Sequence, residues 1–317
     1  MKPGSRRSRA VRSLVLGAGA GQLSLLLATP ILTRLYSPET FGLAASFISI
    51  VGLLSVVAGL RFEQAIPIPD SDEEARSLAQ LSIALVAVTA LVISVGVTVV
   101  QVSSGRVPLL AELGGAIWLI PFAVLLTGVF QTLTQIGLRA QAWTAVAISR
   151  FTQALATVLA QGIAWLPLGQ MGLIAGFSVS RGFGWLPLIR ARDQWRGFLN
   201  YRWADIGKVA RNYRRFPLIS TWTSLLNAAN LAGPVLLTAV FLSPAMAGTL
   251  AVVQRLLASP GRLLSRSVAD AISGESGRRS MRTGHGADGF RIEMGLLRFG
   301  IPAYTAVCQS EIGRAHV

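Results

Sequence analysis

Nine apolar runs, each close to 20 residues and separated by short polar knots, constrain this chain more than any other feature. They cover 14–34, 41–60, 78–101, 114–137, 143–166, 171–190, 216–240, 244–264 and 292–310. A helix needs about 20 such residues to cross the hydrocarbon core, and within lipid every backbone polar group must be satisfied inside the segment. The runs therefore predict an all-α fold, a polytopic transmembrane helix bundle with about nine helices. Only 14% of the 317 residues are charged, against about a quarter in soluble domains.

The net charge of +15 would suit a nucleic-acid binder only as a basic face on a soluble domain. Here 22 of the 29 Lys and Arg residues fall in the alternate segments 1–13, 61–77, 138–142, 190–215 and 262–291, whereas Arg34 and Arg106 alone occupy the opposite loops. Basic loops stay in the cytoplasm, so the N-terminus is expected inside. No nucleic-acid partner is expected. Cys308 is the single cysteine, and the two histidines, His285 and His316, lie near the end of the sequence. A disulfide framework and a Cys/His metal cluster are thereby excluded.

The knots carry helix-start signals. In TRLYSPET, Ser37 can cap the next helix, Pro38 suits its first position, and Glu39 meets its positive end. Ser71-Asp72-Glu73-Glu74 reads as a capping box before the third helix. The basic start resembles a signal peptide, but the following apolar run reaches Leu32, too long for a signal core, and no small-x-small site follows. It is read as a retained first helix.

This organisation gives a basic cytoplasmic N-terminus at 1–13, a first six-helix bundle at 14–190, a basic cytoplasmic linker at 191–215 and an incomplete second bundle at 216–310. The peptide IGRAHV is what ATC GGA AGA GCA CAC GTC encodes, a common sequencing-adapter string. Residues 311–317 are therefore read as an artefact and the protein as longer than this chain.

Four arginines interrupt apolar runs: Arg150, Arg181, Arg255 and Arg298. Arginine at a helix centre costs at least about 2.5 kcal/mol. Arg181 and Arg255 lie about ten residues from either helix end, too deep for easy snorkelling, while Arg150 and Arg298 can reach the cytoplasmic surface. Polar stripes accompany them: Arg150, Gln153, Thr157 and Gln161 on one helix, Thr127, Gln131, Gln135 and Arg139 on another. Arg255, Ser259, Arg262 and Arg266 form a third, and Ser220, Ser224, Asn227 and Asn230 a fourth. One stripe is usually helix–helix glue; so many suggest a shared hydrated cavity. No acid sits mid-helix, so the cavity reads as cationic and its ligand as an anion, phosphate first. Gly17 and Gly21 form GxxxG, a close-packing motif rather than a nucleotide loop.

Four stretches, in order, carry a resemblance: TPILTRLYSPETFGLAASFISI, LRFEQAIPIPDSDEEARSLAQLS, YRRFPLISTWTSLLNAANLAGPVLL and LAVVQRLLASPGRLLSRSVADA. Over about residues 10–275 the chain resembles the polysaccharide-export transporters, the O-antigen or lipid-linked oligosaccharide flippases of the multidrug/oligosaccharidyl-lipid/polysaccharide superfamily. The resemblance implies two helix bundles of six or more helices each, around a cationic cavity. It also implies a substrate of oligosaccharide on undecaprenyl diphosphate, moved across the bacterial cytoplasmic membrane by alternating access. Membrane lipids, a polysaccharide polymerase and glycosyltransferases are the implied partners. Arg34 and Arg61, in family-like stretches at opposite faces, become candidate gates or substrate contacts beside the plain helix-end reading. The candidate cationic set is thus Arg181, Arg255, Arg150, Arg298, Arg34 and Arg61, lined by Gln131, Gln135, Gln153, Gln161, Asn227 and Asn230. No cofactor is expected, the coupling ion is open, and the chain is not expected to be an enzyme. A drug or cation antiporter of the same superfamily and a membrane polysaccharide polymerase or ligase are the alternatives. The first lacks its intramembrane carboxylate; the second lacks a loop large enough for catalysis.

Overall fold

The computed structural model describes residues 3–69, 71–102, 112–190, 206–214 and 216–257, helical nearly throughout and with no strand among them. The expectations for Arg298, the ninth run at 292–310, segment 191–205 and residues 311–317 lie outside the described residues.

The helices are α1 (Pro3–Leu35), α2 (Pro38–Ala58), α3 (Asp72–Val102), α4 (Leu119–Arg139, entered through a tight turn at Gly114–Trp118) and α5 (Trp143–Leu168). They continue as α6 (Gly172–Phe183), α7 (Trp185–Arg190), α8 (Ile206–Asn212), α9 (Thr221–Phe241, after a wide turn at Phe216–Ser220) and α10 (244–257). The local start signals act as read. Ser37 Oγ accepts the Thr40 N–H at 3.3 Å, with Pro38 in the first turn. Ser71 Oγ accepts the Glu74 N–H at 3.2 Å.

Three boundaries differ from the apolar runs. Helix α1 starts at Pro3 rather than 14, because arginine is a good helix former and the helix outlasts its apolar part. Helix α3 starts at its cap, six residues before its apolar run. The sixth run is two helices. Pro187 has no N–H for the Phe183 carbonyl, so α6 stops there with Arg181 in its last turn rather than about ten residues from either end, and Ser149 Oγ donates to the buried Gly184 carbonyl at 2.7 Å.

Among the described residues, five stretches are long and apolar enough to cross a membrane, including Trp143–Arg190 at 48 residues. That last one folds back on itself at Gly169, whose φ of 53° closes the α5–α6 hairpin. Helix α1 packs parallel to α5, where Gly17 and Gly21 let its backbone approach Ala147 and Ala154. Helix α4 is central, against α2, α3 and α6, while α9 packs on α2.

Two large apolar clusters fill the described bundle, beside a small third of Val235, Ala239 and Ala247. One joins Leu32, Phe47, Val51, Val124, Leu173 and Phe177 across α1, α2, α4 and α6. The other lies at the end where α2 and α4 finish and α3 and α5 begin, and gathers Phe62, Ile66, Leu78, Leu133, Val146 and Val209. Outside, Leu91, Val92, Val95 and Val99 on α3 are exposed, as are Leu27, Leu166 and Phe241. Apolar surface of this extent is stable against lipid tails and not against water.

Candidate functional site

Helix α6 carries a phenylalanine and an arginine one turn apart. Phe177 packs edge-on against Phe47 of α2, with ring centroids 6.2 Å apart. The Arg181 guanidinium carbon lies 4.1 Å from the Phe177 ring centroid. Such a cation–π contact contributes about 0.5–2 kcal/mol, which offsets only part of the cost of an arginine inside the bilayer. Among the described residues no acid pairs with Arg181, and its enclosed Nε has no hydrogen-bond partner.

The neighbouring polar residues divide into two groups. One group is spent on helix packing. Thr157 Oγ1 and Ser180 Oγ meet at 2.9 Å between α5 and α6. Gln161, buried to 3% exposure, donates from Nε2 to the Leu173 carbonyl at 3.2 Å, and its own main-chain carbonyl accepts the Tyr36 hydroxyl at 2.6 Å. Gln161 is therefore part of the joint between α1, α5 and α6. Buried and unsatisfied are the acceptor Gln161 Oε1 and a second group of Thr127 Oγ1 on α4, Gln153 Nε2 on α5 and Arg181 Nε on α6. These three helices pack on one another. All three atoms can donate a hydrogen bond, and one belongs to a permanent cation. Oxygen acceptors on an anion are the matching chemistry.

The other sequence candidates are dispersed. Arg150, Gln131 and Gln135 are half-buried on α5 and α4, and Arg255 is half-buried on α10. Asn227 is half-buried and Asn230 exposed on α9. Arg34 is exposed at the end of α1. Arg61 sits at the opposite end of the bundle and is already engaged, with Nη1 3.6 Å from Glu63 Oε1. Arg139, read as the end of a polar stripe, is an anchor. It donates to the Ile66 and Pro69 carbonyls and to Asp72 Oδ1 at 3.0 Å, and so fixes the connection from α2 to α3.

Two participants escape a reading of the sequence alone. Phe177 had a usable signal, an aromatic four residues before an arginine inside an apolar run. Glu63 had almost none. It lies in a connection yet is 4% exposed, and burial pushes its carboxyl above the usual carboxylate range against the pull of Arg61. No cluster of three or more His, Cys, Asp or Glu suited to a metal occurs among the described residues.

Residues 31–276 match the family profile described as polysaccharide biosynthesis protein. Among solved structures, the eukaryotic MATE transporter AtDTX14 is similar at a TM-score of 0.55 and 14% sequence identity. The alignment covers 86% of this chain and 66% of that one, so the likeness is of fold, over about two thirds of the transporter. No curated protein matches.

Proposed function

The chain belongs to the polysaccharide biosynthesis protein family, and on that premise we propose that it is part of a flippase for undecaprenyl-diphosphate-linked oligosaccharide, such as an O-antigen or exopolysaccharide repeat unit. The headgroup moves from the cytoplasmic to the outer face of a bacterial inner membrane by alternating access between two helix bundles. The N-terminus is cytoplasmic, and no covalent chemistry is performed on the substrate. A polymerase and glycosyltransferases act beside it.

The observation that carries this reading is Arg181. It is an arginine in the last turn of α6, within an apolar stretch, supported by Phe177, with no acid partner among the described residues and with an unsatisfied donor. A diphosphate supplies the missing charge and acceptors, and Gln153 and Thr127 add neutral donors that suit phosphate or sugar oxygens. The alternative of a drug or cation antiporter sets a positive ligand against that same guanidinium, which Coulomb repulsion opposes in a low-dielectric interior.

The test is transport by the full-length protein in liposomes loaded with a lipid-linked oligosaccharide, read as protection from an external glycosidase. Arg181→Ala is expected to lower the rate at least tenfold, and Arg181→Lys to retain part of it. Normal transport by Arg181→Ala rejects the assignment. Uptake of organic cations competing with no anion favours the antiporter.

A further inference from the structure

The end of α2 makes an unusual turn. Leu60 and Arg61 both have positive φ, 47° and 60°, in the left-handed region. Non-glycine residues adopt it at a cost of about 1 kcal/mol or more each, so something must hold the turn. The visible clasp is the ion pair of Arg61 with Glu63 at 3.6 Å. Arg61 Nη1 faces Glu63 Oε1, while Oε2 is buried without a hydrogen-bond partner. A half-satisfied carboxylate at 5% side-chain exposure is a poor resting place for a negative charge.

The wall facing Oε2 is polar in a directional way. Oε2 and Ser82 Oγ converge on one side of Gly59, where a Cβ would lie 2.7 Å from the first and 3.2 Å from the second. Ser82 Oγ and Thr132 Oγ1 are 3.0 Å apart, and the Thr132 hydroxyl donates to the Gly128 carbonyl at 3.1 Å. With the Thr132 proton committed, Ser82 is the donor in their shared bond. Ser82 Oγ then offers a lone pair and no proton. It complements a protonated carboxyl and gives nothing to an ionised one.

We infer that Glu63 is a proton-binding site, and that proton uptake on Oε2 exchanges its bond to Arg61 for one to Ser82 and so releases the Leu60–Arg61 turn. The step is a protonation: a proton from water joins Oε2, no other covalent bond changes, and the Arg61 guanidinium gains a free valence for another anion. The charged groups on the surrounding elements leave Arg61 as the partner of Glu63. On α3, Asp72 is bound to Arg139 and Glu74 to the Tyr213 hydroxyl at 3.2 Å, with Glu73 and Arg76 on the same turns. On α4 the charge is Arg139, held by Ile66, Pro69 and Asp72. On α8, Lys208 and Arg211 are exposed, and Phe216–Ser220 carries no charge. The raised affinity of Glu63 for protons has desolvation as its chief cause.

The site stands apart from the sugar-lipid reading, so its test needs no substrate. The full-length protein in liposomes is titrated by pH-difference infrared spectroscopy, following the carboxylic-acid C=O band. A band with a midpoint above the ordinary carboxylate range, absent in Glu63→Gln, is expected. Arg61→Gln moves the midpoint up by about one unit or more, because an opposite charge is lost. Ser82→Ala moves it down. A nitroxide at Gln64→Cys reports the turn: its line shape changes at the same midpoint, and in Glu63→Gln it keeps the low-pH form at every pH. An ordinary midpoint, an unchanged band in Glu63→Gln, or a line shape indifferent to pH overturns the inference.

Discussion

Arg181 rests its guanidinium 4.1 Å from the ring centroid of Phe177, four residues earlier on the same helix. The ring turns a costly buried cation into a tolerable one without using its hydrogen bonds. Phe177 is itself fixed by Phe47 on α2, so the cation is tied to the packing of two helices.

That arrangement separates two substitutions. Phe177→Leu keeps the apolar contact and removes the ring face. The expected loss is about 0.5–2 kcal/mol in substrate affinity or protein stability, read as a modest change in transport and melting temperature. Arg181→Ala leaves stability unchanged or raised, because a desolvated charge is gone, yet abolishes transport. Destabilisation by Arg181→Ala would assign the arginine to structure instead.

The joint between α1, α5 and α6 turns on one hydroxyl. Tyr36, 3% exposed, donates to the Gln161 carbonyl at 2.6 Å. Tyr36→Phe is expected to cost about 1 kcal/mol, seen as a lower melting temperature in detergent. Gln161→Leu leaves that main-chain bond in place and removes only the Nε2 bond to the Leu173 carbonyl, so it is expected to cost about 1 kcal/mol as well. Wild-type stability in both variants would show that the joint is held by apolar packing alone.

Local chemistry was legible in the sequence, and burial was not. Ser37, Pro38 and Ser71 could be placed because a helix cap involves residues within one turn of each other. The membrane spans were legible because lipid imposes their length and polarity. Arg181 stood out because a charge in an apolar run is rare. Gln161 looked like cavity lining because periodicity cannot tell a polar face turned to water from one closed by a neighbouring hairpin. Glu63 sat in a segment that reads as a plain connection, and its enclosure arises from α3, α4 and α8, distant in sequence, folding over it. The turn inside Trp143–Arg190 was legible too, because the apolar runs 143–166 and 171–190 part at the residues where Gly169 closes the hairpin.

The contact between α2 and α10 is a close crossing of small residues. A side chain on Gly42 would strike the Pro244 carbonyl, and one on Gly248 would strike the Pro38 carbonyl. Gly42→Ala or Gly248→Ala is therefore expected to push α10 off α2 and to lower stability and transport together. Gly52→Ala, on the same helix with nothing within 4 Å of its added Cβ, is the control. It is expected to be neutral or slightly stabilising. Equal effects at Gly42 and Gly52 would reject the crossing.

Arg139 and Asp72 predict an asymmetry. Asp72 is exposed and contributes one ion pair, so Asp72→Asn is expected to change stability by less than about 1 kcal/mol. Arg139 also satisfies the Ile66 and Pro69 carbonyls. Arg139→Ala leaves both without that donor and is expected to cost about 2 kcal/mol or more. Chemical unfolding of the two variants in one detergent decides the order. Matching losses would mean that the ion pair, rather than the carbonyl clamp, holds the connection between α2 and α3.

Glu63 sets the sign of a pH dependence. Its folded-state affinity for protons is raised above the ordinary value of 4.5, first by desolvation. Between that value and the raised one the native protein binds more protons than the unfolded chain. The contribution of Glu63 to stability is then full at low pH and is lost as pH rises through the raised value. Melting temperature should accordingly carry a downward component across that window, and Glu63→Gln should remove it while matching the wild type at the acidic end. Arg61→Gln should extend the loss to higher pH, because ionised Glu63 then loses its Arg61 partner. A wild-type curve that rises through this window, or one that Glu63→Gln leaves unaltered, would mean that the buried carboxylate is stabilised as an anion by Arg61 rather than held ready for a proton.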